Sequence, residues 1–179
     1  IADTFKFEIT PRDTAETMHF KNTLAMKYLI ERNIEKLVRN DFTLTKQDDS
    51  LTPTYYPKRE PQHSLIDWNQ DVQVIERFIR AVTKPFNGAF TFAGDQKITI
   101  WDAQVFDLND FGYEKLPPGS VAAVFENGKF LVKCFGGLLL VNHYETDKII
   151  PKNQIFDNNG LTIKQFERNS LGFFDMANH

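Results

Sequence analysis

One short stretch of the chain combines aromatic and cationic side chains on a stiff backbone. It contains Tyr55, Tyr56, Pro57, Lys58 and Arg59. An arginine can grip a phosphate through two parallel hydrogen bonds, and a neighbouring lysine adds a point charge. A tyrosine face can carry a flat heteroaromatic ring such as a nucleobase. We therefore take Tyr55, Tyr56, Lys58 and Arg59 as candidate substrate-binding residues. An ordinary linker, whose tyrosines seat it on the flanking domains, is the equal alternative.

The rest of the chain offers few groups for catalysis. The sequence F-L-V-K-C-F around the single cysteine, Cys134, is typical of a buried strand and not of a nucleophile. Four histidines have no metal-ligand spacing with one another or with this cysteine, and we interpret each as a surface or hydrogen-bonded residue: His19, His63, His143 and His179. We assign no catalytic residue and no metal ligand.

Composition narrows the class of protein. The chain is 41% hydrophobic and 25% charged, as an ordinary globular protein is. It has no apolar run long enough to span a membrane. A single cysteine excludes an internal disulfide and fits a reducing compartment, so we expect a cytoplasmic protein. The net charge is −3, and residues 84–160 contain seven lysines, no arginine and nine acidic residues. This balance argues against a nucleic-acid surface.

Residues 1–40 are expected to contain one strand and one long helix. Residues 4–9 alternate polar and apolar side chains, as a half-buried strand does. Asp13 is the predicted N-cap of the helix, with Glu16 completing a capping box, and Asn33 marks a predicted break. Apolar side chains at spacings of three and four residues form one face of this helix: Met26, Ile30, Ile34 and Leu37.

A proline-braced connection leads to a second predicted helix. Residues 40–66 are expected to be extended, because their prolines remove backbone donors and restrict the residues before them. The helix is predicted to begin at Asp67, with Gln70 as its capping-box partner, and to end at Pro85. Its predicted buried stripe consists of Val72, Ile75, Ile79 and Val82.

From Gly88 onward the pattern is that of short strands. Gly94-Asp95 and Asn127-Gly128 each lie between apolar runs and predict two hairpins. Gly136-Gly137 leads into a further strand, L-L-L-V-N-H-Y. Several short strands with regular turns and one helix predict a small closed barrel of OB type. The predicted fold is therefore an α/β segment followed by a small OB-like β-barrel domain.

Three segments together resemble the carboxy-terminal half of folate-dependent formyltransferases. The first is F-E-I-T-P-R-D-T-A-E-T-M-H, and the second is T-Y-Y-P-K-R-E-P-Q-H-S-L-I-D-W. The third is I-R-A-V-T-K-P-F-N-G-A-F, followed by the hairpin sequence K-I-T-I-W-D-A. Their order and gaps match that family, which includes methionyl-tRNA formyltransferase and the N-formyltransferases of nucleotide-linked amino sugars. The resemblance covers about residues 4–145.

The resemblance implies a division of the chain and a cofactor. Residues 1–40 would end a Rossmann-like catalytic domain, 41–66 would be the linker, 67–160 the C-terminal OB-like domain and 161–179 a segment of unknown structure. The cofactor would be 10-formyltetrahydrofolate, bound mainly by an upstream domain. The family's catalytic Asn, His and Asp would all precede Ile1, so no residue here inherits those roles. Because the chain does not begin with Met, we expect it to be part of a longer protein.

The resemblance also suggests which amine is formylated. The turn K-P-F-N-G-A-F stands where the tRNA enzymes usually carry N-P-W-P, and the barrel segment is acidic. We therefore expect a nucleotide-linked amino sugar as substrate, with methionyl-tRNA as the weaker alternative. A non-catalytic binding module that retains only the linker and barrel is the alternative from another class. The oligomeric state stays open, a homodimer included.

Overall fold

The computed structural model describes residues 1–51, 56 and 58–163, together with the backbone of residues 166–168 and 174–176. Two α-helices and a short 3-10 turn at Pro61–Ser64 accompany seven strands. The helices are α1 (Ala15–Arg39) and α2 (Val72–Val82). The strands are β1 (Ala89–Ala93), β2 (Gln96–Asp107), β3 (Val121–Val124), β4 (Phe130–Cys134), β5 (Gly137–Glu145), β6 (Phe166–Arg168) and β7 (Phe174–Met176). The last two pair with each other antiparallel, in the segment that the sequence left unassigned.

The N-terminus of α1 is capped one residue later than predicted. Thr14 is the N-cap, and its hydroxyl accepts a hydrogen bond from the Thr17 amide while the Thr17 hydroxyl accepts one from the Thr14 amide. Asp13 instead accepts hydrogen bonds from the Thr10 amide and the Lys21 ammonium. The prediction of Asp13 as the N-cap was therefore wrong, because its carboxylate binds groups in the preceding turn and in the second turn of α1, and not the first amides of the helix.

The predicted break in α1 at Asn33 is absent. The Asn33 amide donates to the Leu29 carbonyl within the helix and to the Asp3 carboxylate outside it, at 2.9 and 2.5 Å. Both bonds satisfy the buried amide without interrupting the backbone ladder. The side chain that suggested a break therefore ties residue 3 to an unbroken helix.

The predicted strand and the predicted buried helix face in residues 1–40 would each need a packing partner, and the described residues do not supply one. Residues 4–9 form no strand, because a strand requires a hydrogen-bonded partner and none of the described strands pairs with them. The predicted helix face is present but uncovered, with exposed fractions between 48% and 57% for Met26, Ile30, Ile34 and Leu37. The periodicity of the sequence thus identified an apolar face of α1 correctly, but no described residues cover that face.

The N-cap of helix α2 lies four residues after the predicted one. Asp71 is the N-cap, and its carboxylate accepts from the Gln73 amide at 2.8 Å. Asp67 and Gln70 form a separate turn that precedes the helix, with the Gln70 amide donating to the Asp67 carbonyl. The predicted buried stripe is confirmed, since Val72, Ile75, Ile79 and Val82 are at most 2% exposed. Each such buried side chain contributes about 1.5–3 kcal/mol to folding.

Strands β1 to β5 form one antiparallel sheet in the order β1-β2-β5-β4-β3. Both predicted hairpins are confirmed, because Ala93 pairs with Gln96 across Gly94-Asp95 and Val124 pairs with Phe130 around Asn127-Gly128. Gly128 has φ 83°, a left-handed conformation that glycine adopts without strain. Helix α2 packs on this sheet, and the core between them includes Ile79, Ile98, Phe130 and Leu139.

The predicted closed OB-like barrel is not confirmed, because the ladder between the edge strands β1 and β3 is not closed. Residues 153–157 lie between those edges. Phe92 and Asp157 exchange two backbone hydrogen bonds of 3.1 and 2.9 Å on the β1 side. On the β3 side, the Val121 amide donates to Gln154 and the Phe156 amide donates to Gly119. The structure is therefore a mostly antiparallel five-stranded sheet with few helices, bridged at its edges by an irregular segment.

Candidate functional site

Every described residue of the candidate loop is exposed, namely Tyr56, Lys58 and Arg59. Tyr56 is 70% exposed, and Lys58 is also exposed. Tyr55 and Pro57 lie outside the described residues. The cation of Lys58 is therefore placed where an anionic ligand could reach it.

Arg59 is anchored to the domain that follows it. Its Nη2 atom donates to the His63 carbonyl at 2.8 Å, and its Cζ atom lies 5.3 Å from the centroid of the Phe78 ring on α2. Partial burial lowers the pKa of the Arg59 guanidinium below its ordinary value, yet an arginine remains charged in proteins. The stacked guanidinium fixes the end of the linker against α2, in addition to any ligand that it binds.

His63 is a hydrogen-bonded histidine of the 3-10 turn. Its side chain is buried, with 5% of the residue exposed, and Nδ1 accepts from the Glu60 amide at 2.9 Å. The interpretation of this histidine as a satisfied residue is therefore confirmed. Together, the Glu60 and Arg59 contacts hold the turn that carries the linker into the sheet domain.

A cleft of about 370 Å³ opens beside Arg59. Its polar rim includes Asp67 and Gln70, whose side chains bond to each other at 2.9 Å. Its walls are mostly apolar and comprise Leu65, Ile66, Val74, Ile75, Phe78 and Ile163. Such a cleft suits a small group held by apolar contact, with the Arg59 side chain in its lining.

The described residues contain no other arrangement that suggests catalysis. Cys134 is fully buried in β4, which confirms the predicted buried strand position, and burial raises the pKa of its thiol to about 12. Within the same residues, no group of three or more His, Cys, Asp or Glu side chains could hold a metal ion. No helix in the described part of the chain has the length and apolarity needed to cross a membrane.

A second cleft, of about 900 Å³, separates the start of α1 from the end of α2. Arg80 reaches across it from α2 and donates to the Asp13 carbonyl at 2.5 Å. Sequence reasoning missed this contact because 67 residues separate the two partners. One local signal was present: Glu76 stands four residues before Arg80, a spacing at which helical side chains pair.

Parts of this chain match known proteins in sequence. A family model described as the formyl transferase, C-terminal domain matches residues 58–159. The bifunctional polymyxin resistance protein ArnA of Wigglesworthia glossinidia brevipalpis is 32% identical over 105 residues, or 59% of this chain. Those residues are 16% of that relative, so the chain spans about a sixth of its length.

Solved structures of HypX from Aquifex aeolicus share the fold. One variant has a TM-score of 0.59 at 20% identity, over 79% of this chain and 24% of HypX. The complex of HypX with tetrahydrofolic acid has a TM-score of 0.57 at the same identity and coverage. At this identity the likeness concerns the fold alone.

The matched family region begins at Lys58, inside the candidate loop, and continues through α2 and the five-stranded sheet. It covers more than half of the chain, and two of the three segments that suggested the same family overlap it. The chain therefore belongs to the formyl transferase C-terminal domain family.

Proposed function

We propose that this chain is part of a 10-formyltetrahydrofolate-dependent N-formyltransferase that acts on the amine of a nucleotide-linked amino sugar. The observation that carries the proposal is the loop at the start of the family region, where the exposed Lys58 adjoins the anchored Arg59. Two adjacent cations of this kind suit the phosphates of a nucleotide sugar. Tyr55 and Tyr56 complete the proposed substrate-binding loop.

The cleft beside Arg59 does not suit the proposed cofactor as a dedicated site. The cleft beside Arg59 has a volume of about 370 Å³. That volume is near the lower end for clefts that hold drug-sized ligands. Its rim groups Asp67 and Gln70 already bond to each other. The folate supplies the formyl group in the proposed reaction, and we propose that it and the catalytic groups are held mainly outside this chain.

Within that enzyme, this chain would bind and orient the acceptor substrate. The Lys58 side chain makes no hydrogen bond or ion pair with another described residue, so its charge is available to a phosphate. The Arg59 guanidinium contacts the Phe78 ring and donates to the His63 carbonyl, which limits the positions that it can take. A pre-positioned cation loses less conformational entropy when a ligand binds.

The test is steady-state kinetics of the complete enzyme with a nucleotide amino sugar as acceptor. We expect Lys58→Ala to raise the KM for the sugar roughly tenfold, the value of about one charge-assisted hydrogen bond, and to leave the KM for the folate unchanged. Lys152→Ala, at an exposed position in a distant turn, is the matched control. Unchanged kinetics for Lys58→Ala would contradict the role of the loop, and formylation of methionyl-tRNA alone would favour the tRNA branch.

A further inference from the structure

Arg80 makes three hydrogen bonds, one of which connects α2 to the segment before α1. Its Nη1 atom donates to the Asp13 carbonyl at 2.5 Å. Its Nε and Nη2 atoms donate to the two carboxylate oxygens of Glu76, at 2.6 and 3.2 Å. The side chains of Arg80 and Glu76 are only 20% and 19% exposed, so water competes weakly for these bonds.

The chemistry of this contact requires an arginine. Glu76 lies one turn before Arg80 on the same helix and accepts two parallel hydrogen bonds, which fixes the plane of the guanidinium. The remaining nitrogen is then directed away from α2 and towards Asp13. A lysine at this position could satisfy Glu76 or Asp13, but its single ammonium lacks the fork that reaches both in fixed directions.

Asp13 is also hydrogen-bonded to the residues before α1. Its Oδ2 atom accepts from the Thr10 amide and from the Lys21 ammonium, both at 2.6 Å. The same ammonium donates to the Glu8 carbonyl at 2.9 Å. A continuous set of hydrogen bonds therefore runs from α2, through Asp13, to residues 8–10.

We propose that Arg80 is a positioning residue that holds residues 8–13 at a fixed distance from the sheet domain. The consequence of this inference rests on the proposed function. In that enzyme, the segment before α1 would position the catalytic groups, and the linker loop would bind the acceptor substrate. Arg80 sets the separation of the two, so its loss weakens acceptor binding without touching either ligand.

The contact is tested on this chain by amide hydrogen exchange, without any substrate. We expect Arg80→Ala to speed exchange at the Thr10 and Asp13 amides roughly tenfold, as the loss of one hydrogen bond to a charged donor implies, while exchange in β4 and β5 is unchanged. Arg80→Lys should give an intermediate rate. Arg77→Ala is the matched control, since Arg77 is exposed on the same helix and forms no hydrogen bond or ion pair with the other described residues. Equal rates in Arg80→Ala and the unsubstituted chain would overturn the proposal.

Kinetics of the complete enzyme test the consequence. Arg80→Ala should raise the KM for the acceptor roughly tenfold and leave the KM for the folate unchanged, whereas a loss of folded protein alone would lower the apparent kcat and move neither KM. Changed exchange with an unchanged acceptor KM would refute the positioning role. An unsubstituted enzyme that formylates no nucleotide amino sugar would instead refute the proposed function, and the exchange experiment would still decide whether the contact holds residues 8–13.

Discussion

The guanidinium of Arg59 lies over the ring of Phe78, with Cζ 5.3 Å from the ring centroid. The contact joins the last part of the linker to the middle of α2, and the hydrogen bond from Arg59 to the His63 carbonyl adds a second point of attachment. Lys58 and Arg59 are both exposed, but only Arg59 has contacts that anchor the candidate loop to the rest of the domain. Adjacent cations in the sequence thus have different structural roles.

This difference predicts unequal effects on stability. Arg59→Ala should lower the free energy of unfolding by about 1–2 kcal/mol, because it removes a cation–π contact and a hydrogen bond from a charged donor. Lys58→Ala should change it by less than about 0.5 kcal/mol, as exposed substitutions usually do. Urea unfolding of both variants measures the difference. Equal values for the two would show that the Phe78 contact contributes nothing.

The β4–β5 turn predicts a position where a single methyl group is not tolerated. Gly137 has φ 144°, and a Cβ there would collide with the Asp107 carbonyl and lie 2.9 Å from the Leu108 Cα, both of them backbone atoms. Gly137→Ala should therefore cost about 3 kcal/mol or more, beyond the usual cost of a strained φ. Gly94→Ala is the matched control, since Gly94 also has a positive φ but no atom within 4 Å of the added Cβ. Its expected cost is about 1 kcal/mol, and thermal unfolding that ranks Gly94→Ala as the more damaging change would contradict the geometry.

The contact between Asp3 and α1 is expected to weaken in acid. Hydrogen bonds from the Arg32 and Asn33 side chains lower the pKa of Asp3 from 3.8 to about 2. Because the folded pKa is depressed, the stabilisation is fully present above pH 3.8 and is lost as the pH falls through about 2. Carboxyl NMR should give a midpoint near 2 for Asp3.

A substitution at Arg32 tests whether this residue lowers the pKa of Asp3. Arg32→Ala should move the Asp3 midpoint upward, towards the ordinary value of 3.8, because Arg32 is the largest cause of the shift. Arg39→Ala, at the exposed end of the same helix, should leave the midpoint where it is. A midpoint near 3.8 in the unsubstituted chain would show that the Asp3–Arg32 pair does not form in solution.

Burial predicts that Cys134 is inert in the folded chain. Desolvation raises the pKa of its thiol to about 12, so the reactive thiolate is scarce at neutral pH. A thiol reagent should label Cys134 slowly under native conditions and completely in denaturant, with free cysteine as the reference. Native labelling as fast as that of free cysteine would mean that β4 opens readily.

The elements that the sequence predicted correctly are those in which local pattern and packing agree. Val72, Ile75, Ile79 and Val82 recur at helical spacing, and the same face packs on the sheet. Asn127-Gly128 favours a tight hairpin wherever its flanks are apolar, so the β3–β4 pairing followed from a few neighbouring residues. The family resemblance rested on such local segments, and the match over residues 58–159 confirms it.

Other features depended on partners that are distant in sequence. Asp67 and Asp71 are both suitable caps, and α2 begins at the later one, where the Val72 amide also donates to the Phe135 carbonyl of the sheet domain. Residues 4–9 have the alternation of a strand, yet pairing and not alternation makes a strand.

What the sequence determined by itself was the family, the apolar stripe of α2 and the hairpin turns. The stripe and the turns are set by residues within a few positions of one another, and the family by short segments in a fixed order. Only the tertiary structure decided that Arg59 stacks on Phe78, that Arg80 reaches Asp13 and that residues 153–157 bridge the sheet edges. The physical reason is common to all three: each joins groups that the folded backbone brings together, and the free energy of such contacts depends on distance in space and not on spacing along the chain.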